Sequence, residues 1–294
     1  MRNAYLLIIL LLWNYNSVVA QEIISLYPKN EILFAKSDTE IPTLTYYPAK
    51  QQTTDIVIIV CSGGSYHGRA NDVEGIPTCK MLNENGISTF LLDYRVPNAK
   101  RMDHKEIVPL TDAQKAILYV KNHAEKYKVN PNKLGIIGFS AGGHLVTTVA
   151  THFNQTALKN TQGKNLRPDF VVAVYPVISF ENTLTHEESR MRLIGPDITS
   201  ENIYRFSNDK HITHETPPTF LVAALDDDVV KVQNSLYYEA ALRQHRVPVN
   251  MFLYAKGGHG FGIYNKTANV QWTPSCVKWI LSEQWKKQSY SKQK

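Results

Sequence analysis

Six short apolar runs punctuate the chain, at 56–61, 88–92, 134–139, 170–175, 219–224 and 249–254. They are nearly continuous and largely β-branched or aliphatic, the pattern of strands covered on both faces. Between them, amphipathic stretches of helix length occupy 75–85, 110–127, 142–153, 232–245 and 270–285. Strand and helix alternation of this kind predicts an α/β fold with a mostly parallel central sheet flanked by helices. The stretch before Ile56, with EIPTLTYYPAK, alternates enough to add antiparallel strands at the sheet edge.

The rhythm breaks between Ser179 and Thr216, where no strand pattern is present but HEESRMRLIG and PDITSENIYRFS precede the turn-rich ETPP. An insertion between two sheet strands lies toward the strand ends, where ligands bind. This interval is therefore expected to form a small helical cap around 179–216. No repeat, low-complexity linker or second domain is evident, so 21–294 reads as a single domain. Residues 1–20, MRNAYLLIILLLWNYNSVVA, place Arg2 ahead of an apolar stretch from Ala4 to Trp13, then small residues at Val18 and Ala20. That is the layout of a signal peptide cleaved after Ala20. Its apolar part is shorter than the ~20 residues of a spanning helix, so no membrane anchor is expected after cleavage, and the mature chain is expected to be periplasmic or secreted.

Composition adds exclusions. Of the formal charge of +6, much sits at the ends, on Arg2 and on lysines 286, 287, 292 and 294, so no nucleic-acid surface is indicated. Cys61, Cys79 and Cys276 lack CxxC or metal-ligand spacing. An exported chain allows one disulfide plus a free thiol, yet Cys61 ends an apolar strand and reads as a small buried hydrophobe.

The chemistry concentrates at Ser140. Gly138-Phe139-Ser140-Ala141-Gly142 forms G-x-S-x-G directly after a strand and directly before a helix, the context that exposes a nucleophilic hydroxyl on a sharp turn. The helix start beside it supplies free N–H groups and a positive dipole end. A serine needs a base held by a carboxylate. Among ten histidines, only His259, in GGHGFG, follows the last strand in the chain order serine, acid, histidine. The acid is sought in LDDDVV after the preceding strand; the pattern D-x-V-V selects Asp227, with Asp226 as the alternative. The loop after the first parallel strand, SGGSYHG, stands where an HGGG-type oxyanion loop is expected, with Ser62 and Ser65 at its outer positions. Backbone N–H groups of Gly64, Ser65 and Ala141 are the candidate oxyanion donors. Tyr66, Tyr175 and Trp272 are candidates to stack on sugar faces, although each reads first as core or packing; Tyr66, which follows that loop, is the best exception. Asp112, in TDAQKAI, is read as structural, buttressing the fold through the nearby Lys115.

With these motifs in place, CSGGSY, LLDYRVP, PLTDAQKAILYVK, IIGFSAGGHL, PPTFLVAALDDDVV and LYAKGGHGFG together resemble the α/β-hydrolase superfamily from Ile56 onward. Within it they are similar to bacterial secreted esterases of the acetylxylan esterase-like and feruloyl-esterase-like (BD-FAE-like) branch. The resemblance implies a serine esterase that removes acetyl groups from an acetylated polysaccharide or oligosaccharide of hemicellulose, without metal or cofactor. Lys231 departs from that branch, which often carries proline after the two valines. A feruloyl or other carboxylic ester hydrolase remains an alternative. So does a serine peptidase of the prolyl-oligopeptidase kind, although only residues 21–55 precede Ile56 in the expected mature chain, where such peptidases usually carry a large propeller. A binding protein that merely retains the scaffold is disfavoured by the intact serine, acid and histidine.

Overall fold

The computed structural model describes residues 21–36, 40–196 and 198–286; the expected leader, 1–20, lies outside them. Eight strands form one sheet: β1 (Glu22–Ser25), β2 (Thr43–Tyr47), β3 (Val57–Cys61), β4 (Ser88–Asp93), β5 (Leu134–Phe139), β6 (Phe170–Val174), β7 (Thr219–Ala224) and β8 (Val249–Tyr254). Their order is β1-β2-β4-β3-β5-β6-β7-β8. β1 and β2 add the antiparallel edge, and every pairing from β4 through β8 is parallel.

Burial on both faces explains the continuous apolar runs. Successive strand side chains point to opposite faces, so Val57, Ile59 and Cys61 enter one core while Ile58 and Val60 enter the other. The first core is closed by α2 (Val108–Asn122), α3 (Ser140–His152) and α6 (Gln233–Gln244) through Ile117, Val146 and Leu242. The second is closed by α1 (Ile76–Glu84) and α7 (Trp272–Leu281) through Leu82, Trp272 and Ile280. Between β6 and β7 the chain forms α4 (Glu187–Ile194), α5 (Ser200–Arg205) and a 3-10 turn at Asn208–Lys210.

β3 is flanked by β4 on one side and β5 on the other. The chain therefore leaves β3 in one direction and later returns on its other side, which opens a crevice at the strand ends. Cys61 pairs with Gly138, bringing the loops that follow β3 and β5 side by side.

All three cysteines are free and buried, and burial raises each thiol above its ordinary range. Asp112 does not pair with Lys115, as its local position suggested. Its fully buried carboxylate accepts from Arg95, with Nη2 at 2.7 Å, Nε at 2.9 Å and the Arg95 backbone N–H at 2.9 Å. Lys115 instead lies over the Tyr27 ring. A buried acid requires a desolvated partner that satisfies several lone pairs, and only the tertiary fold brings Arg95 to it.

Candidate active site

The turn from β5 into α3 is packed too closely for larger residues beside Ser140. A Cβ at Gly138 would stand 2.2 Å from the Gly142 carbonyl oxygen, and one at Gly142 would stand 2.4 Å from the carbonyl oxygens of Cys61 and Ser62. Ser140 itself adopts φ of 49°, a strained conformation for a residue with a side chain. The turn presents its hydroxyl at the first residue of α3, near the positive end of the helix.

Two further loops converge on that hydroxyl. His259, on the loop after β8, places Nε2 2.9 Å from Ser140 Oγ and Nδ1 2.8 Å from Asp227 Oδ2. Asp227, on the loop after β7, is buried, and its other oxygen accepts the backbone N–H groups of Val229 at 3.0 Å and Val230 at 2.8 Å. Those bonds fix the carboxylate with Oδ2 toward the imidazole. Nδ1 then carries the proton and Nε2 is left to accept from the serine hydroxyl, the protonation pattern of a general base. Asp226 does not reach the imidazole. Its Oδ1 accepts the N–H groups of Gly257 and Gly258, both at 2.8 Å, and so clamps the start of the His259 loop. Asp228 is exposed.

The loop after β3 lies against Ser140. A Cβ at Gly63 would approach Ser140 Cβ to 2.9 Å and Phe139 O to 2.8 Å. Gly64 has φ of 120°, and a Cβ there would meet the Gly68 carbonyl oxygen at 2.6 Å. Its own carbonyl accepts from the N–H groups of His67 and Gly68, closing a tight turn. Gly63 N–H donates to Glu74 Oε2 at 2.6 Å and is committed there. No acceptor among the described residues takes the N–H of Gly64, Ser65 or Ala141.

The sugar-stacking assignment of Tyr66 is not compatible with this structure. The ring is 1% exposed, and its hydroxyl donates to His144 Nδ1 at 2.9 Å. His144 in turn donates from Nε2 to the Phe206 carbonyl at 2.9 Å and stacks on Phe180. Burial pushes the His144 pKa down to about 4, so the ring is neutral and can accept from Tyr66. Tyr66 therefore braces the loop after β3 against α3 and the segment after α5. Tyr175 and Trp272 are equally enclosed, at 1% and 0% exposure. Lys231 donates to the Thr183 carbonyl, tying the loop after Asp227 to the insertion.

Glu74 is the group that sequence patterns missed. It lies on a π-helical turn, Asn71–Gly75, just after the loop following β3. Beyond Gly63, its buried carboxylate accepts the Tyr175 hydroxyl at 2.9 Å. Burial raises its pKa above the usual carboxylate range, while these two hydrogen bonds act in the opposite direction. No spacing marks it, because Tyr175 reaches it from a distant part of the chain.

The family model described as BD-FAE matches residues 45–242, a span that includes Ser140 and Asp227 and ends before His259. The chain is 32% identical over 209 residues to the acetylxylan esterase of Xylanibacter ruminicola, covering 70% of this chain and 41% of that protein. It is 30% identical over 252 residues to endo-1,4-beta-xylanase B of Butyrivibrio fibrisolvens, covering 85% of this chain and 39% of that one. It thus spans about two fifths of the length of these curated relatives. Among solved structures, the acetyl ester-xyloside bifunctional hydrolase from Caldicellulosiruptor lactoaceticus aligns with a TM-score of 0.81 at 37% identity, covering 90% of this chain and 97% of that one.

Proposed function

The chain belongs to the BD-FAE family, and from that premise we propose that it is a serine carboxylic ester hydrolase that removes acetyl groups from hemicellulose such as xylan. The observation that carries the reading is the continuous hydrogen-bonded series from Ser140 through His259 to Asp227 at the crevice of the sheet. The choice of acetyl and xylan is supported by the similarity to an acetylxylan esterase and to an acetyl ester-xyloside hydrolase.

In this mechanism Ser140 Oγ attacks the ester carbonyl as His259 Nε2 takes the hydroxyl proton. Asp227 holds the Nδ1 proton and stabilises the imidazolium. Negative charge develops on the former carbonyl oxygen, where the free amides of Gly64, Ser65 and Ala141 are the available donors. Collapse of the tetrahedral intermediate breaks the bond to the sugar oxygen, which leaves with the proton from His259, and acetyl remains on Ser140. Water then gives a proton to His259 and attacks the acyl carbon. Acetate departs and Ser140 recovers its proton.

A polymeric substrate is met outside the cytoplasm, so a periplasmic or secreted setting accompanies this proposal. Among the described residues no helix is long and apolar enough to cross a membrane. The test is acetate release from acetylated xylan, run beside ferulate release from feruloylated arabinoxylan, with wild type and Ser140→Ala. Acetate release that disappears with Ser140 supports the reading. Ferulate release alone moves the substrate to a bulkier acyl ester, and acetate release undiminished in Ser140→Ala sinks the assignment.

A further inference from the structure

We propose that Glu74 is a positioning residue that holds the oxyanion loop and the His259 loop in one register; the inference rests on the esterase reading above. Three contacts carry it. Glu74 Oε2 accepts Gly63 N–H at 2.6 Å, Glu74 Oε1 accepts the Tyr175 hydroxyl at 2.9 Å, and the Tyr175 oxygen accepts Gly262 N–H at 3.1 Å. Gly63 immediately precedes the candidate oxyanion amides, and Gly262 lies three residues beyond His259. One carboxylate and one phenol therefore connect the two loops that must meet the substrate on either side of Ser140.

The packing around these bonds is equally close. Gly63 lies against Ser140, with room for no Cβ between them. At Gly262 a Cβ would stand 3.0 Å from the Val73 carbonyl oxygen, on the same π-helical turn that carries Glu74. The Tyr175 ring lies 4.7 Å from the His259 ring, centroid to centroid. π-helical turns recur at functional sites because they aim a side chain that a regular helix would misplace.

Chemistry argues against a passive role. A buried carboxylate is costly unless its lone pairs are satisfied, and a core with no other demand would use an apolar residue here. Glu74 is satisfied by two donors, a backbone N–H and a phenol, rather than by an arginine or lysine. Holding Gly63 N–H fixes the Ser62–Gly63 peptide plane, one residue before the Gly64 amide. Preorganised donors of this kind act only if they are already aimed when charge develops.

The test uses 4-nitrophenyl acetate, with functional Ser140 titrated by a fluorophosphonate probe so that kcat is expressed per competent site. For Glu74→Ala, kcat per site is expected to fall about 10- to 100-fold with KM within about threefold, the signature of lost transition-state stabilisation. Glu74→Gln keeps an acceptor for Gly63 but turns an amide N–H toward the phenol, so a loss of about three- to tenfold is expected. Tyr175→Phe leaves Glu74 on Gly63 but releases Gly262, and about the same loss is expected. If Glu74→Ala does not fold, the other two variants decide. Wild-type kcat per site in both Glu74→Gln and Tyr175→Phe, even with a lowered melting temperature, would reduce Glu74 to a packing residue and overturn the proposal. A wild-type protein that neither turns over the ester nor takes the probe at Ser140 would instead overturn the esterase reading, and this inference with it.

Discussion

Asp227→Asn separates the charge and tautomer of the acid from its shape. The substitution leaves the backbone bonds to Val229 and Val230 available, and these decide which way the new amide points. Its carbonyl oxygen must face those two N–H groups, because an amide NH2 there would meet two donors. The NH2 is thus directed at His259 Nδ1, which in the native protein donates to Asp227 across 2.8 Å. Nδ1 then has to accept, the ring proton moves to Nε2, and Nε2 can no longer take the proton of Ser140, 2.9 Å away. The known effect of placing this tautomer in an unrelated serine protease is a loss of about 10⁴-fold in kcat, equivalent to about 5.5 kcal/mol of barrier. The same order is expected here, with a melting temperature close to wild type because the backbone bonds survive. Steady-state hydrolysis of 4-nitrophenyl acetate measures the first quantity and thermal denaturation the second. Asp226→Asn supplies the control: its oxygen can still accept from Gly257 and Gly258, so kcat should stay within about threefold. A loss below about tenfold in Asp227→Asn, or equal losses in the two variants, would refute this account of the acid.

Gly63→Ala should lower kcat by about 10²-fold, because the new methyl can be accommodated only by moving the loop away from Ser140 and Phe139; activity near wild type would show that the loop is not held against Ser140. Asp112→Ala strands the buried Arg95 guanidinium and should cost about 3–5 kcal/mol in urea unfolding, with a cost under about 1 kcal/mol contradicting the ion-pair reading. His144 and His152 are both buried, and burial pushes each from an ordinary value near 6.5 down to about 4. Between those values the unfolded chain binds more protons than the folded one, so stability is full above about pH 6.5 and falls as pH drops toward 4, by about 3 kcal/mol for each imidazole. Denaturant midpoints at pH 7 and pH 5 test this, and His144→Gln should flatten the pH dependence; a midpoint that does not fall from pH 7 to pH 5 would contradict it.

The parallel sheet was legible because burial on both faces leaves its strands as short continuous apolar runs, and 134–139, 219–224 and 249–254 coincide with β5, β7 and β8. The serine turn was equally legible, since strand, glycines, Ser140 and helix are consecutive in the chain and their strain is local. Among the three aspartates, spacing separated Asp227 from Asp226, but only the folded loops show what each carboxylate holds. The sequence could not determine which aromatic rings remain open to a substrate. Tyr66, Tyr175 and Trp272 have the composition of a sugar platform, and all three are enclosed by elements distant in sequence. Local position likewise suggested Lys115 as the partner of Asp112, while the fold supplies Arg95 from the end of β4. Glu74 is the extreme case, because Gly63 and Tyr175 reach its carboxylate, and Gly262 reaches the Tyr175 oxygen, from three separate loops that meet only at the sheet crevice. Periodicity and turn chemistry are properties of neighbouring residues and are therefore written along the chain. The satisfaction of a buried polar group depends on what the remainder of the fold brings to it, and that is decided in tertiary structure alone.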